Sequence, residues 1–244
     1  MAETNRFDAN VIGSGVSGGF AAKELTEKGL RVLMLDRGKM VEHGEGYTYD
    51  GKPAYEVPAR NITPKALMES DYFIAKHGYV QPSNREFHND DRLNPYAYDE
   101  GSKFYWIRPG AVGGKSLIWG RWCFRWSPQD FEANKRDGID GEWPIRYDDV
   151  APWYSYVEKY IGVSGSRENL PYLPDSEFQP PMPMNVAEKW LKQNLESKFP
   201  GRKLINTRLS NMTEDSPTRT APNASSATSA AMAVRSAHIS RRRR

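Results

Sequence analysis

The chain has 244 residues, with 34 Lys and Arg against 31 Asp and Glu, and one cysteine, Cys123. A single cysteine excludes an internal disulfide and a cysteine-rich metal site, and no run approaches the roughly 18 consecutive apolar residues of a membrane span. The net charge of +3 belongs to the tail: residues 215–244 carry +5 and residues 1–214 sum to −2, so the body has no basic surplus for nucleic acid.

The first residues lack the apolar core of a secretory signal peptide, which points to the cytoplasm. Phe7-Asp8-Ala9-Asn10-Val11-Ile12 then runs directly into Gly13-Ser14-Gly15-Val16-Ser17-Gly18, and Phe20-Ala21-Ala22-Lys23-Glu24-Leu25 continues as a helical pattern. A strand, a tight glycine turn and a helix start in that order form the layout that holds a dinucleotide pyrophosphate. Gly13 lets the chain turn, Gly15 lets backbone approach phosphate, and Gly18 lets the helix pack against the strand. The unpaired N–H groups of the helix start and the positive end of its dipole would face the anion. A second apolar strand, Leu30 to Leu35, follows, and Asp36 at its end stands where an acidic residue accepts hydrogen bonds from a ribose. Arg37 beside it could instead meet a 2′-phosphate.

Residues 38–105 are rich in Tyr, Asn, Pro and Gly and hold one short helical pattern near Lys65-Ala66-Leu67-Met68. A long excursion of this kind suits a cover over a bound cofactor. His43, His77, His88 and the pair Asp90-Asp91 show no metal-ligand spacing, so they read as surface polar residues and no metal site is assigned. A second glycine segment then runs Arg108-Pro109-Gly110-Ala111-Val112-Gly113-Gly114-Lys115-Ser116-Leu117-Ile118-Trp119, with Phe104, Tyr105 and Trp106 before it. A glycine pair among aromatics permits close backbone approach to a planar ring, and it equally suits a glycine loop in an aromatic core. Cys123 reads as a small core residue.

Val150, Trp153, Tyr154, Val157 and Ile161 recur at helical spacing and predict one buried face, with Gly162 as the cap. A Pro-rich linker over 170–183 precedes a second helix, Val186 to Phe199, with Trp190, Leu191 and Leu195 on one face. Residues 204–209 read as a strand. Residues 215–244 then contain seven Ala, six Ser and six Arg and no aromatic residue. One reading is a disordered basic tail. The other is a shifted frame: permitted codons for 223–241, read two bases later, give a Cys-x5-Cys-x3-Cys peptide rich in Asn and Phe.

With both glycine segments in place, the chain resembles the glucose–methanol–choline (GMC) family of FAD-dependent oxidoreductases over residues 7–214. Trp126-Ser127-Pro128-Gln129-Asp130-Phe131 and Trp143-Pro144-Ile145 continue the match and point to the branch of gluconate dehydrogenases, pyranose oxidases and sugar 3-dehydrogenases. The resemblance implies an α/β, Rossmann-like FAD/NAD(P)-binding fold over 1–214, incomplete here, with the irregular excursion at 38–105, the start of a substrate region at 142–209 and an aberrant tail at 215–244. It implies hydride transfer from an alcohol carbon of a sugar or polyol to flavin. Gly13, Ser14, Gly15, Val16, Gly18, Asp36 and Arg37 would hold the adenosine and pyrophosphate. Arg108, Gly113, Gly114, Ser116, Leu117 and Trp119 would lie along the flavin. Where some members carry a histidine bonded to flavin this chain has Ile118, so FAD is expected to be non-covalent. The family's catalytic histidine belongs to a C-terminal part that this chain does not reach; His238 matches no motif and no catalytic residue is assigned. The electron acceptor stays open, and a partner subunit, with which such a chain could be exported to the periplasm, is compatible with the branch. Two other readings remain: an inactive nucleotide-binding fragment, and an NAD(P)-binding domain that uses only the first motif.

Overall fold

A computed structural model describes residues 6–42, 46–49, 51–69, 73–76, 80–102, 107–139 and 141–215. The expectations for His43, His77, residues 104–106, His238 and nearly all of the tail lie outside them. The chain divides into two compact units, one ending at Trp119 and the other beginning at Gly120.

In the first unit, β1 (Ala9–Ile12), α1 (Val16–Glu27) and β2 (Val32–Leu35) follow in the expected order. β1 and β2 are parallel, with Ala9 opposite Val32 and Ile12 opposite Leu35. The strand apolar runs give the pairing its half-buried face, and the crossover helix between them makes parallel pairing geometrically available. Asp8 helps to set the register, since its carboxylate accepts the Arg31 backbone N–H at 2.7 Å. Among the described residues the parallel sheet stops at two strands. Beyond β2 lie short helical turns and α2 (Lys65–Met68), where a helical turn was expected. Ile74, Ala75 and Val80 form a small buried cluster there, with Leu67 and Ile107 packed on it. Residues 109–112 run beside 38–39: Lys39 N–H donates to Gly110 O and Val112 N–H donates to Lys39 O.

In the second unit, α3 (Pro128–Phe131) and α4 (Ala133–Asp137) precede α5 (Tyr147–Ile161), β3 (Val163–Ser164), α6 (Val186–Lys198) and β4 (Leu209–Ser210). Ser127 caps α3, with Asp130 accepting both its backbone N–H and its hydroxyl. Gly162 ends α5 in the left-handed region at φ 68°, as its position predicts. Asn185 caps α6 by accepting Glu188 N–H, and Glu188 accepts Asn185 N–H in return.

Three expectations are corrected here. The strand over 204–209 reduces to β4, antiparallel to β3, because Arg208 is fully buried and turns its guanidinium onto the carbonyls of Leu173 and Pro174 and the carboxylate of Asp175. The face of α5 is as expected only in part: Val150, Tyr154, Val157 and Ile161 are half-buried, but Trp153 is 68% exposed, and the fully buried residue is Glu158, paired with Arg125. On α6, Trp190 and Leu191 are exposed as well.

Candidate functional site

The site builds outward from the turn between β1 and α1. Gly13 has φ 93°, a conformation that L side chains rarely adopt, and its N–H donates to Leu35 O at 2.7 Å. This seats the turn over the end of β2. Gly18 lies so close to the strand that a Cβ there would stand 1.9 Å from Gly13 O, so the third glycine is required by the close approach of helix to turn. Gly15 is the N-cap of α1; α1 has no side-chain cap and no acid in its first turn. A Cβ at Gly13 or Gly15 would meet nothing within 4 Å, so space lies open over the helix start. A helix N-terminus left uncapped beside open space suits an anion, because its N–H groups and dipole both favour negative charge.

Asp36 closes the turn from the β2 side. Its Oδ2 accepts Ser14 N–H at 2.7 Å and the Ser14 hydroxyl at 2.5 Å, and its Oδ1 accepts Gly38 N–H at 2.6 Å. Partial burial pushes the carboxyl upward, but the Ser14 hydroxyl, the Gly38 and Ser14 N–H groups and the Arg37 charge outweigh it and hold Asp36 below its usual value. It is therefore a carboxylate at neutral pH; Oδ2 already accepts two donors, so Oδ1 is the oxygen that keeps lone-pair capacity for a further donor such as a ribose hydroxyl.

The second glycine segment docks on this turn. Gly113 N–H donates to Ser14 Oγ at 2.7 Å, across 99 residues of sequence. Gly113 has φ 100° and Gly114 φ 57°, and a Cβ on Gly114 would lie 3.3 Å from Gly15 Cα. Ser116 is buried and its hydroxyl donates to Gly113 O at 2.6 Å. Leu117 packs under Gly113, where a Cβ would meet its side chain at 3.3 Å. Residues 13–15 and 113–116, far apart in the chain, thus form one backbone-lined surface.

The remaining candidates sit differently. Val16 is the exposed first residue of α1, and Arg37 is exposed. Arg108 turns its guanidinium over the Tyr96 ring, 4.9 Å from the centroid, while its carbonyl accepts Asn89 N–H. Trp119 is half-buried and its indole N–H is buried with no acceptor. An orphan donor of this kind costs stability unless something accepts from it. The open turn and the uncapped helix suit the phosphates of a dinucleotide.

Two residues were misjudged or missed in the sequence. His88 is buried rather than on the surface; burial pushes its imidazole down despite the Nδ1 contact with Asn84 O. Gly38 was not singled out, yet a Cβ there would meet the Ala111 carbonyl carbon at 2.5 Å. A glycine directly after Asp36-Arg37 was the available signal. Cys123 is half-buried and burial raises its thiol to about 11, so it is no thiolate at neutral pH.

No protein-family model matches the chain. Among curated proteins it is similar to the fructose dehydrogenase large subunit of Gluconobacter japonicus, 28% identical over 75% of this chain and 32% of the relative. It is also similar to the gluconate 2-dehydrogenase flavoprotein of Pantoea cypripedii, 30% identical over 67% of this chain and 26% of the relative. The 6'''-hydroxyparomomycin C oxidase of Streptomyces lividus is 26% identical over 65% of this chain and 23% of the relative. The chain therefore spans about a quarter to a third of the length of these relatives. They are GMC-type oxidoreductases, so the resemblance carried by the two glycine segments stands. No helix among the described residues is long and apolar enough to cross a membrane.

Proposed function

We propose that this chain carries the nucleotide-binding part of an FAD-dependent oxidoreductase acting on an alcohol group of a sugar or polyol. The observation that supports it most is the docking of Gly113 on Ser14, which joins a dinucleotide-type turn to a second glycine turn. A nicotinamide dinucleotide needs the first turn alone. A second backbone-lined turn beside it gives a longer ligand, with a flat ring at its far end, a place to lie.

In this reading the α1 N-terminus holds the pyrophosphate, Asp36 Oδ1 accepts a ribose hydroxyl, and Gly113, Gly114 and Trp119 line the flavin. Bound flavin would supply the hydride acceptor. The protein residues bind and orient it. Ile118 stands where some members of the resembled family carry a flavin-linked histidine, and its side chain has no nitrogen for such a bond, so FAD is held non-covalently. The named relatives act on fructose, gluconate and aminoglycosides, which supports a sugar-like substrate. One of them is called a large subunit, which supports a partner chain.

The test is direct. Purified protein titrated with FAD should quench flavin fluorescence at a one-to-one endpoint, and acid precipitation should release all of the flavin. Flavin remaining on the acid pellet would sink the non-covalent reading, and quenching of protein fluorescence by NADH but not by FAD would replace the flavin reading with a nicotinamide one.

A further inference from the structure

Ser14 lies between the first two glycines of the turn, and its hydroxyl is engaged inside the protein. Ser14 is 2% exposed, and its one proton goes to Asp36 Oδ2 at 2.5 Å while its oxygen accepts Gly113 N–H at 2.7 Å. Donation to a carboxylate makes a hydroxyl oxygen a better acceptor, so the two bonds strengthen each other. Gly113 is held at both ends of its residue, with Ser14 on its N–H and the buried Ser116 hydroxyl on its carbonyl. The approach is tight, since a Cβ on Gly114 would already press against Gly15 Cα at 3.3 Å.

We propose that Ser14 is a positioning residue: its hydroxyl links Asp36 at the end of β2 to Gly113 and so sets the spacing of the two glycine turns. This rests on the flavin reading above for its consequence, though not for its geometry. Alanine at 14 would leave Gly113 N–H buried with no acceptor and remove one donor from Asp36. The first turn keeps its own bonds from Gly13 N–H to Leu35 O and from Gly38 N–H to Asp36. A ligand that touches only the first turn should therefore notice little. A ligand that lies across both should lose affinity.

The experiment uses the whole 244-residue chain, with ADP and FAD as probes and amide hydrogen exchange at Gly113 as a ligand-free readout, referenced to Ala22 in α1. For Ser14→Ala, Gly113 exchange should accelerate about tenfold relative to Ala22, the effect of losing one buried hydrogen bond. FAD affinity should fall about tenfold and ADP affinity less than about twofold. Ser14→Thr, which keeps the hydroxyl, should return both close to wild type. Unchanged Gly113 exchange in Ser14→Ala overturns the proposal, as does acceleration shared equally by Ala22, or a threonine that behaves like alanine. If the wild type binds neither nucleotide, the flavin reading falls, and Gly113 exchange alone decides the role of Ser14: selective acceleration upholds it and no acceleration refutes it.

Discussion

Gly18 shows how one atom can decide a local fold. A methyl group there would lie 1.9 Å from Gly13 O, and neither backbone can yield without lifting α1 off β1. Gly18→Ala should cost about 3 kcal/mol or more, at the upper end of overpacking effects, and abolish ADP binding; denaturant melts and calorimetry check both. Asp36 gives a prediction in pH. Its carboxyl is held below the unfolded value of 3.8 by the Ser14 and Gly38 donors and by Arg37, against the upward push of burial. The folded chain thus binds that proton less readily than the unfolded one. Its contribution is complete above the unfolded value and disappears as pH falls through the depressed folded value. The gap in denaturation midpoint between wild type and Asp36→Asn should hold from neutral pH to about pH 4 and close below it. A gap that widens in acid would show that Asp36 does not act through its charge. These residues were legible in the sequence because glycine spacing encodes backbone demands directly: Gly13, Gly15, Gly18 and Asp36 each stand where a turn, an open approach, a close packing and a strand end require them. The partnership of Ser14 with Gly113 was not legible, since nothing local relates residues 99 positions apart.

At the scale of elements, periodicity accounts for only part of α5. Val150, Tyr154, Val157 and Ile161 are half-buried as their spacing predicts, yet Trp153 is exposed and a charged residue occupies the interior. Glu158 receives Arg125 Nε at 3.0 Å and Nη2 at 2.6 Å, and the same guanidinium reaches Tyr147 OH, Ser155 Oγ and Ser176 Oγ. Three of its partners, Tyr147, Ser155 and Glu158, lie on α5 and the fourth, Ser176, lies beyond it, so this guanidinium ties α5 to residues 125 and 176 at once. Periodicity counts apolar residues and cannot see that an arginine from elsewhere will neutralise a glutamate in the interior. Gly162 and the Asn185–Glu188 cap were legible because caps are local. The strand expected over 204–209 failed for the opposite reason: Arg208 finds its partners 33 to 35 residues earlier. Removing one member of a buried pair leaves the other uncompensated, so Glu158→Gln should destabilise the second unit by about 3–5 kcal/mol. The double replacement Arg125→Met with Glu158→Leu should cost clearly less, because no charge is then stranded. Urea unfolding of the three proteins decides it; equal losses would mean that the pair's Coulomb attraction and not the stranded charge dominates.

For the whole molecule the governing quantity is apolar surface left in water. Ile12 is 87% exposed, and Trp122, Trp153 and Trp190 are each exposed by more than 60%. Single exposed apolar residues are ordinary, but this many large aromatic side chains, with a two-stranded parallel sheet of which the described residues cover little, is not. Parallel strands gain their stability from burial on both faces, and here Ile12 and Leu35 at the paired strand ends remain open to solvent. The ligand-free protein should therefore bind an apolar dye such as ANS and self-associate as its concentration rises into the micromolar range, seen by light scattering. Nucleotide should act against this only through linkage: a ligand at about 100 times its Kd stabilises the state it binds by about 2.7 kcal/mol. FAD at that ratio should raise the melting midpoint and protect amides of 9–36 and 110–118, while the exposed tryptophans of the second unit continue to bind dye. If FAD instead removed the dye signal throughout, the exposed aromatic surface would have to be folding around the ligand, and ordering on binding would replace simple occupancy of a formed site.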